Sequence, residues 1–335
     1  MLFTCKLFAQ TGYLNVSTEK SECEVIAQHE DRTIPQHDNL EQYLEQVDEI
    51  LDISRIIDDP PEKSQIINYY LMNRFTYRFF YNWEGFVHCG INYAGKRKSS
   101  DCQAQAKIID RYLHDTEAKR VLELGYGLGA NSGLLAKRNP NVTFDALDIS
   151  NKPLRRFTKM SNAHFHIGDY HDLSNFEDGA YDVVFVIEAL CYSKNKLHVL
   201  HEVKKKISTD GLFVVFDAYT RSRATPLSHS EDIMWKLITR GAAVDTFEYV
   251  NKVEDDMRKE YSIVVAKDLS TRTLPSLERQ ESLARLYLSS AVVAKAINKV
   301  VPFDIMKNIP MMLLMPTSVR RQIGCYYLHV LQNGQ

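Results

Sequence analysis

Between residues 120 and 220 short apolar runs alternate with helix-like segments, the rhythm of strand and helix in turn. The runs are Arg120-Val121-Leu122, then 142–147, 163–167, 181–187 and 211–216. Each later run is followed by polar residues: Asp148, the Gly168-Asp169 pair, Glu188 and Asp217. This pattern predicts an α/β fold with a largely parallel sheet. In such sheets ligands bind beyond the carboxyl ends of the strands, where these polar residues fall. Downstream, 230–256 reads as helical, 261–266 as a sixth strand and 325–331 as a last strand. Between the last two strands, 276–323 is helical or irregular, rich in Leu, Val, Ala and Met, with prolines at 302, 310 and 316. That connection is too long for a hairpin turn and predicts a helical cap over the strand ends. Upstream, Leu40, Tyr43, Leu44, Val47, Ile50, Leu51, Ile53 and Ile56 recur at helical spacing, and Asp59-Pro60-Pro61 breaks the pattern. A ring-dense segment at 62–83 and a stretch at 101–114 also read as helices.

The first strand runs into Glu123-Leu124-Gly125-Tyr126-Gly127-Leu128-Gly129, and a helix-like stretch follows from Ser132. Glycines at 125, 127 and 129 let the backbone turn sharply and approach a ligand closely, because no Cβ intervenes. The helix start beyond them offers free N–H groups and partial positive charge. Asp148 stands nineteen residues after Gly129. That is about the spacing at which an acid at the tip of a second strand reaches a ribose diol.

The ordered set E-L-G-x-G-x-G, the strand-two Asp148, the Gly168-Asp169 pair and F-E-D-G-x-Y-D-V-V before strand four resembles the class I S-adenosylmethionine-dependent methyltransferases. The likeness covers roughly 120–219. It implies a Rossmann-like seven-stranded sheet whose last strand is antiparallel and lies between strands five and six. It also implies S-adenosylmethionine as cofactor. Glu123 would hold the amino group of the methionine part, and Asp148 both ribose hydroxyls. Asp169 would take the adenine amino group, with Tyr170 near the ring. Gly125, Gly127, Gly129, Ile149 and Ile187 would complete the cofactor contacts. The aromatic segment would fold over the cofactor as a lid, bringing Tyr81, Trp83 and His88 to the site. The organisation expected is an extension at 1–60, the lid at 61–114, the core at 115–270, a substrate cap at 271–323 and the final strand at 324–335.

Composition adds limits. A net charge of −2 gives no basic excess of the kind nucleic-acid binders carry. Six cysteines are scattered without a C-x-x-C pair, which reads as reduced thiols in the cytoplasm. No apolar run reaches membrane-spanning length, no signal peptide is expected, and no metal-ligand cluster stands out. Monomer and homodimer both stay open.

The acceptor is read from Ile187-Glu188-Ala189-Leu190-Cys191-Tyr192-Ser193 after strand four. This is similar to the E-A-x-C-H stretch of sterol C-24 methyltransferases and of relatives acting on isoprenoids, with Tyr192 where those have histidine. The resemblance implies methylation of a carbon–carbon double bond through a carbocation, with cyclisation an open branch. Aromatic faces would stabilise the cation and a carboxylate would take the proton. Glu188, Tyr192 and Tyr81 are the catalytic candidates, and Tyr219 is a substrate contact. A prenyl diphosphate such as geranyl or farnesyl diphosphate would need cations, and Arg320-Arg321 leads Arg221, Arg223, Arg272 and Lys307 as candidates. Two other readings stand beside this one: an N- or O-methyltransferase of a small amine, phenol or acid, and a non-catalytic cofactor- or lipid-binding protein.

Overall fold

The computed structural model describes residues 39–59, 84–95, 97–149 and 153–334. Its centre is one seven-stranded sheet in the order β3-β2-β1-β4-β5-β7-β6. The strands are β1 (Arg120–Leu124), β2 (Thr143–Asp148), β3 (Ala163–Ile167), β4 (Tyr181–Ile187), β5 (Ile207–Thr220), β6 (Ser262–Asp268) and β7 (Gly324–Gln332). The first five run parallel, and β7 is antiparallel to both β5 and β6, as the resemblance implies. β4 is central, and its apolar run from Val183 to Ile187 is buried. That is the mark of a strand covered on both faces. β6 lies at the edge and alternates exposed with half-buried positions.

Helices cover both faces. α1 (Leu40–Leu51), α2 (Ile53–Ile57) and α3 (Ala104–Asp115) precede the sheet, and α4 (Ala130–Arg138) follows β1. α5 (Lys196–Lys206) precedes β5, and α6 (His229–Gly241) and α7 (Val250–Glu260) precede β6. On one face Leu122, Val184 and Val186 pack with Val199 and Val203 of α5 and Val253 and Met257 of α7. On the other, Val121, Phe185 and Phe216 pack with Ile109 and Leu113 of α3 and Leu135 of α4.

Between β6 and β7 stand α8 (Ser270–Leu288), α9 (Ala291–Ile297), α10 (Phe303–Met306) and α11 (Asn308–Arg320). They share an apolar cluster with α1 and α6, built on Leu40, Val47, Leu237, Ala284, Leu313 and Leu314. The expected helical insertion is therefore present, and its second wall comes from the N-terminal helices. Pro310 sits in the first turn of α11, where a missing N–H costs nothing, but Pro275 and Pro316 lie inside helices.

Two single-helix expectations divide. The segment 38–59 breaks at Asp52 (φ 58°), and 230–256 breaks after α6 at Ala243 (φ 53°). Both residues adopt the left-handed conformation that ends a helix, and neither is the glycine that usually signals it. The ring-dense segment 62–83 lies outside the described residues.

Candidate functional site

The ends of β1, β2, β4 and β5 bring four carboxylates to one edge of the sheet, because parallel strands deliver their C-terminal residues together. Glu123 is the penultimate residue of β1, at 1% exposure. One oxygen accepts from the Ser132 backbone N–H at 3.1 Å and from the Ser132 hydroxyl, the other from Asn131 Nδ2 at 3.4 Å. Burial nevertheless pushes its carboxyl up to about 7, against the pull of those hydrogen bonds. A desolvated carboxyl of this kind fits an ammonium group, whose charge would offset the cost of ionising it.

The turn that follows explains its glycines. Gly125 has φ 73°, and a Cβ there would lie 2.4 Å from the Ala189 Cβ. Gly127 has φ 56°, and its N–H donates to Asp148 Oδ2 at 2.9 Å. Gly129, also left-handed, caps α4. Asp148 thus sits at the end of β2, 7% exposed, holding the turn that it faces, with Ile149 38% exposed beside it. The chemistry of the cradle fits S-adenosylmethionine: a desolvated carboxyl at Glu123 suits an ammonium, and a carboxylate at Asp148 suits a pair of hydroxyls.

Glu188 follows β4 with φ 51°, a left-handed conformation costly for a residue with a side chain. Its N–H donates to the Phe216 carbonyl at 2.8 Å, which fixes the strained turn to β5. Its Oε1 accepts from the Cys89 N–H at 2.8 Å, and Tyr326 of β7 hydrogen-bonds the same carboxyl. Burial and the nearby Asp217 hold this carboxyl up at about 7. Asp217, 1% exposed at the carboxyl side of β5, is pushed up to about 6 by burial. It accepts from the Cys191 N–H at 2.7 Å and the Ala218 N–H at 2.8 Å. Ile187 ends β4 at 7% exposure, immediately before Glu188.

Residues 84–95 close over this edge. His88, 4% exposed, faces Asn131 Oδ1 through Nε2 and the Cys89 carbonyl through Nδ1, each at 3.2 Å. Burial lowers its pKa. Its partner Asn131 also binds Glu123, so His88 braces the proposed ammonium site. Gln105 of α3 donates from Nε2 to the Cys89 carbonyl at 2.6 Å and to the Tyr326 hydroxyl at 3.2 Å.

Asp169 Oδ1 accepts from the His171 N–H at 3.0 Å and meets His171 Nδ1 at 2.6 Å. His171 Nε2 in turn meets Ser193 Oγ at 2.8 Å. Serine, histidine and carboxylate in this line resemble a hydrolase triad. Ser193, however, is 2% exposed, and its Oγ accepts from the Asn195 N–H at 3.1 Å. The line therefore ties the loop after β3 to the turn after β4. Tyr170 donates to the Ala189 carbonyl at 3.0 Å and joins the same two loops, with burial raising its pKa.

Other expected site residues stand elsewhere. Tyr192 donates to the Ala242 carbonyl at 3.1 Å and packs among the helices of the insertion. Tyr219 is 1% exposed in the core with Val250, Val253 and Met257, so it does not line an open edge. Arg320 pairs with Glu278 at 2.7 Å and with Glu281 at 3.6 Å, and Arg321 pairs with Glu231 at 3.4 Å. Arg221 pairs with Asp268, Arg223 with Glu231 and Lys307 with Asp59, while Arg272 lies 4.7 Å over the Tyr93 ring. Tyr81 and Trp83 lie outside the described residues. Among the described residues no group of three or more His, Cys, Asp or Glu side chains is arranged to hold a metal ion, and no helix is long and apolar enough to cross a membrane.

Comparison with known proteins agrees with this architecture. Residues 115–272 match a family model described as a methyltransferase domain. The chain is 34% identical over 117 residues to the 2-methyl-6-phytyl-1,4-hydroquinone methyltransferase of Synechocystis, covering 33% of this chain and 36% of the relative. It spans 36% to 51% of the length of the curated relatives it matches. Among solved structures, the cyclopropane synthase MmaA2 of Mycobacterium tuberculosis superposes with a TM-score of 0.66 at 14% identity, over 82% of this chain and 99% of that one. The geranyl diphosphate C-methyltransferase of Streptomyces coelicolor A3(2) does so with a TM-score of 0.53 at 14% identity, over 79% and 98%. The fold is that of the class I methyltransferases, which use S-adenosylmethionine as cofactor.

Proposed function

We propose that this chain transfers a methyl group from S-adenosylmethionine to a carbon–carbon double bond of a small apolar isoprenoid. The observation that carries the reading is Glu188. It is a single half-buried carboxyl beside the cofactor turn, on a strained backbone, held from two sides by Cys89 and Tyr326 and raised to about 7. Strained residues with shifted pKa at a strand edge are what acid–base chemistry requires.

When bound, the cofactor supplies an electrophilic methyl carbon on sulfur. The pair of electrons of the acceptor double bond forms the new carbon–carbon bond as the carbon–sulfur bond breaks, and the acceptor is left as a carbocation. Ionised Glu188 then takes a proton from the neighbouring carbon, and the electrons of that C–H bond restore a double bond. Near neutral pH a group with pKa about 7 is present in both protonation states, which suits a base that must also release its proton. The turn glycines and Asp148 would hold the donor, and its alignment with the acceptor would supply much of the rate.

All six cations weighed as diphosphate ligands engage a carboxylate or a ring, which favours an uncharged isoprenoid over a prenyl diphosphate. Incubation with methyl-labelled S-adenosylmethionine and a panel of isoprenoid alcohols and hydrocarbons, prenyl diphosphates, sterols, fatty acids, phenols and amines tests the reading. The expected result is label in an organic-extractable product that resists ester and ether cleavage. Label confined to an amine, ether or ester would instead establish an N- or O-methyltransferase.

A further inference from the structure

The helical insertion carries a surface that the site does not use. Leu286 near the end of α8, Val292 and Val293 in the first turn of α9, and Val300 just beyond α9 are 72%, 81%, 55% and 80% exposed. Scattered single aliphatics on a surface are ordinary, but these four fall within fifteen residues of one helical hairpin. Beyond α9 the turn-forming hydrogen bonds continue through Val301, so Val300 stays joined to the hairpin. The hairpin is fixed from within, since the Tyr287 hydroxyl of α8 bonds Asn298 beyond α9. The Asn298 side chain also donates to the Ile50 carbonyl of α1 at 3.1 Å.

The hairpin's own charges between residues 282 and 303 have one sign. No acid occurs between Glu281 and Asp304, while Arg285, Lys295 and Lys299 are all exposed. The facing acids are Glu49 of α1, 3.8 Å from Lys295, and Glu281, which is 8% exposed and meets Arg285 at 4.0 Å. Aliphatic side chains in water beside lysines that carry no acid of their own segment match a surface that is apolar below and anionic above.

We propose that the α8–α9 hairpin docks on an anionic phospholipid bilayer, with Leu286, Val292, Val293 and Val300 entering the interface and Lys295 and Lys299 meeting the phosphates. The placement relative to the site is favourable. Ser276, ten residues before Leu286 on α8, accepts from the Gly90 N–H in the segment that closes over Glu188. Ten helical residues span about 15 Å, so the docked hairpin holds the site near the interface. The surface does not depend on which acceptor is methylated.

The test uses the full chain and co-sedimentation with vesicles of phosphatidylcholine alone or with added phosphatidylserine. The expected result is binding to the anionic vesicles that weakens with salt. Lys295→Ala with Lys299→Ala should lower it about tenfold or more, and Val292→Asp with Val293→Asp should remove it. Both variants alter exposed positions, and equal melting temperatures would show that the fold is kept. The proposal is overturned if the unaltered chain stays in solution with both vesicle types, or if folded variants pellet as well as it does. A dimer in sedimentation velocity that Val292→Asp with Val293→Asp dissolves, with no vesicle binding, would assign the surface to a second copy of the chain.

Discussion

The backbone N–H of Cys89 donates to Glu188 Oε1 across 2.8 Å, joining positions 99 residues apart in the chain. A peptide donor cannot be lost by side-chain change, so the second partner, Tyr326, is the adjustable one. Hydrogen bonds to the ionised form hold a carboxyl down. Tyr326→Phe should therefore raise Glu188 further above about 7 and move the acid limb of the rate–pH profile to higher pH. Glu188→Gln should abolish most turnover at every pH while leaving affinity for S-adenosylhomocysteine nearly unchanged. Steady-state rates with calorimetry check both, and equal loss of rate and affinity in Glu188→Gln would make it a structural residue.

In the proposed site Glu123 would link cofactor binding to protons. In the free chain its carboxyl stands at about 7. An ammonium placed beside it favours the ionised form and lowers that value. Below about pH 7 binding must then release a proton, and affinity should rise with pH until it levels off near 7. Calorimetry in two buffers of different ionisation enthalpy measures the release directly. Glu123→Gln should bind more weakly and show no proton release in that range; release that persists in the variant would sink the assignment.

The sheet was legible in the sequence because every strand carries its own apolar run and ends on a polar residue. That Glu123, the three glycines, Asp148 and Glu188 come together at one edge was legible for the same reason. Tyr326 and Gln105 were not: each lies in an element that reads as ordinary strand or helix, and they meet only because Tyr326 of β7 faces the side of the sheet that α3 covers. The surroundings of Tyr192 and Tyr219 were not legible either. Their types and positions suit a cation site, but the hydroxyl of one holds the end of α6 and the ring of the other fills the core. Ring identity along a chain does not reveal which way the ring faces. The arginines show the same blindness to partners, since Glu231, Glu278 and Glu281 approach from helices that no local pattern relates to them.

Buried acids also set how stability depends on pH. Glu123 and Glu188 are raised from about 4.5 to about 7, and Asp217 from about 3.8 to about 6. A carboxyl raised on folding contributes stability that is complete below its unfolded value and is lost as pH rises through its folded value. The ligand-free chain should therefore melt at progressively lower temperature as pH rises from about 4 to 7. Glu123→Gln should flatten the slope, because an amide has no proton to lose. Thermal melts across that window, with S-adenosylhomocysteine absent, decide it; a slope unchanged in the variant would place the linkage elsewhere.

Asp148 holds the turn and, in the proposed site, would also hold the ribose, two tasks that substitutions can separate. Its Oδ2 accepts from the Gly127 N–H, and the diol of a bound ribose would meet the same carboxylate. Asp148→Ala should weaken S-adenosylhomocysteine binding by about 1.5–3 kcal/mol and also lower the melting temperature, since the turn loses its acceptor. Asp148→Asn keeps an oxygen for Gly127 and should melt close to the unaltered chain while still binding more weakly. Titration calorimetry with melts reads both; equal affinity in both variants and the unaltered chain would move the ribose contact to another residue.

Tyr192 distinguishes a catalytic ring from a structural one. Its hydroxyl donates to the Ala242 carbonyl at 3.1 Å, where α6 ends and the chain turns left-handed at Ala243. That bond satisfies a carbonyl at a helix end, and losing it costs about 1 kcal/mol. Tyr192→Phe should therefore lower the melting temperature by a few degrees, at roughly 1 kcal/mol of stability, and leave the ring in place for any cation held near it. If the ring alone matters to the reaction, turnover on the acceptor changes little in Tyr192→Phe and falls strongly in Tyr192→Leu. If both variants keep full turnover, the tyrosine belongs to the insertion's packing and the cation must be stabilised by other groups. If Tyr192→Phe alone removes turnover with the fold intact, the hydroxyl leaves Ala242 in the reacting complex and acts on the acceptor itself.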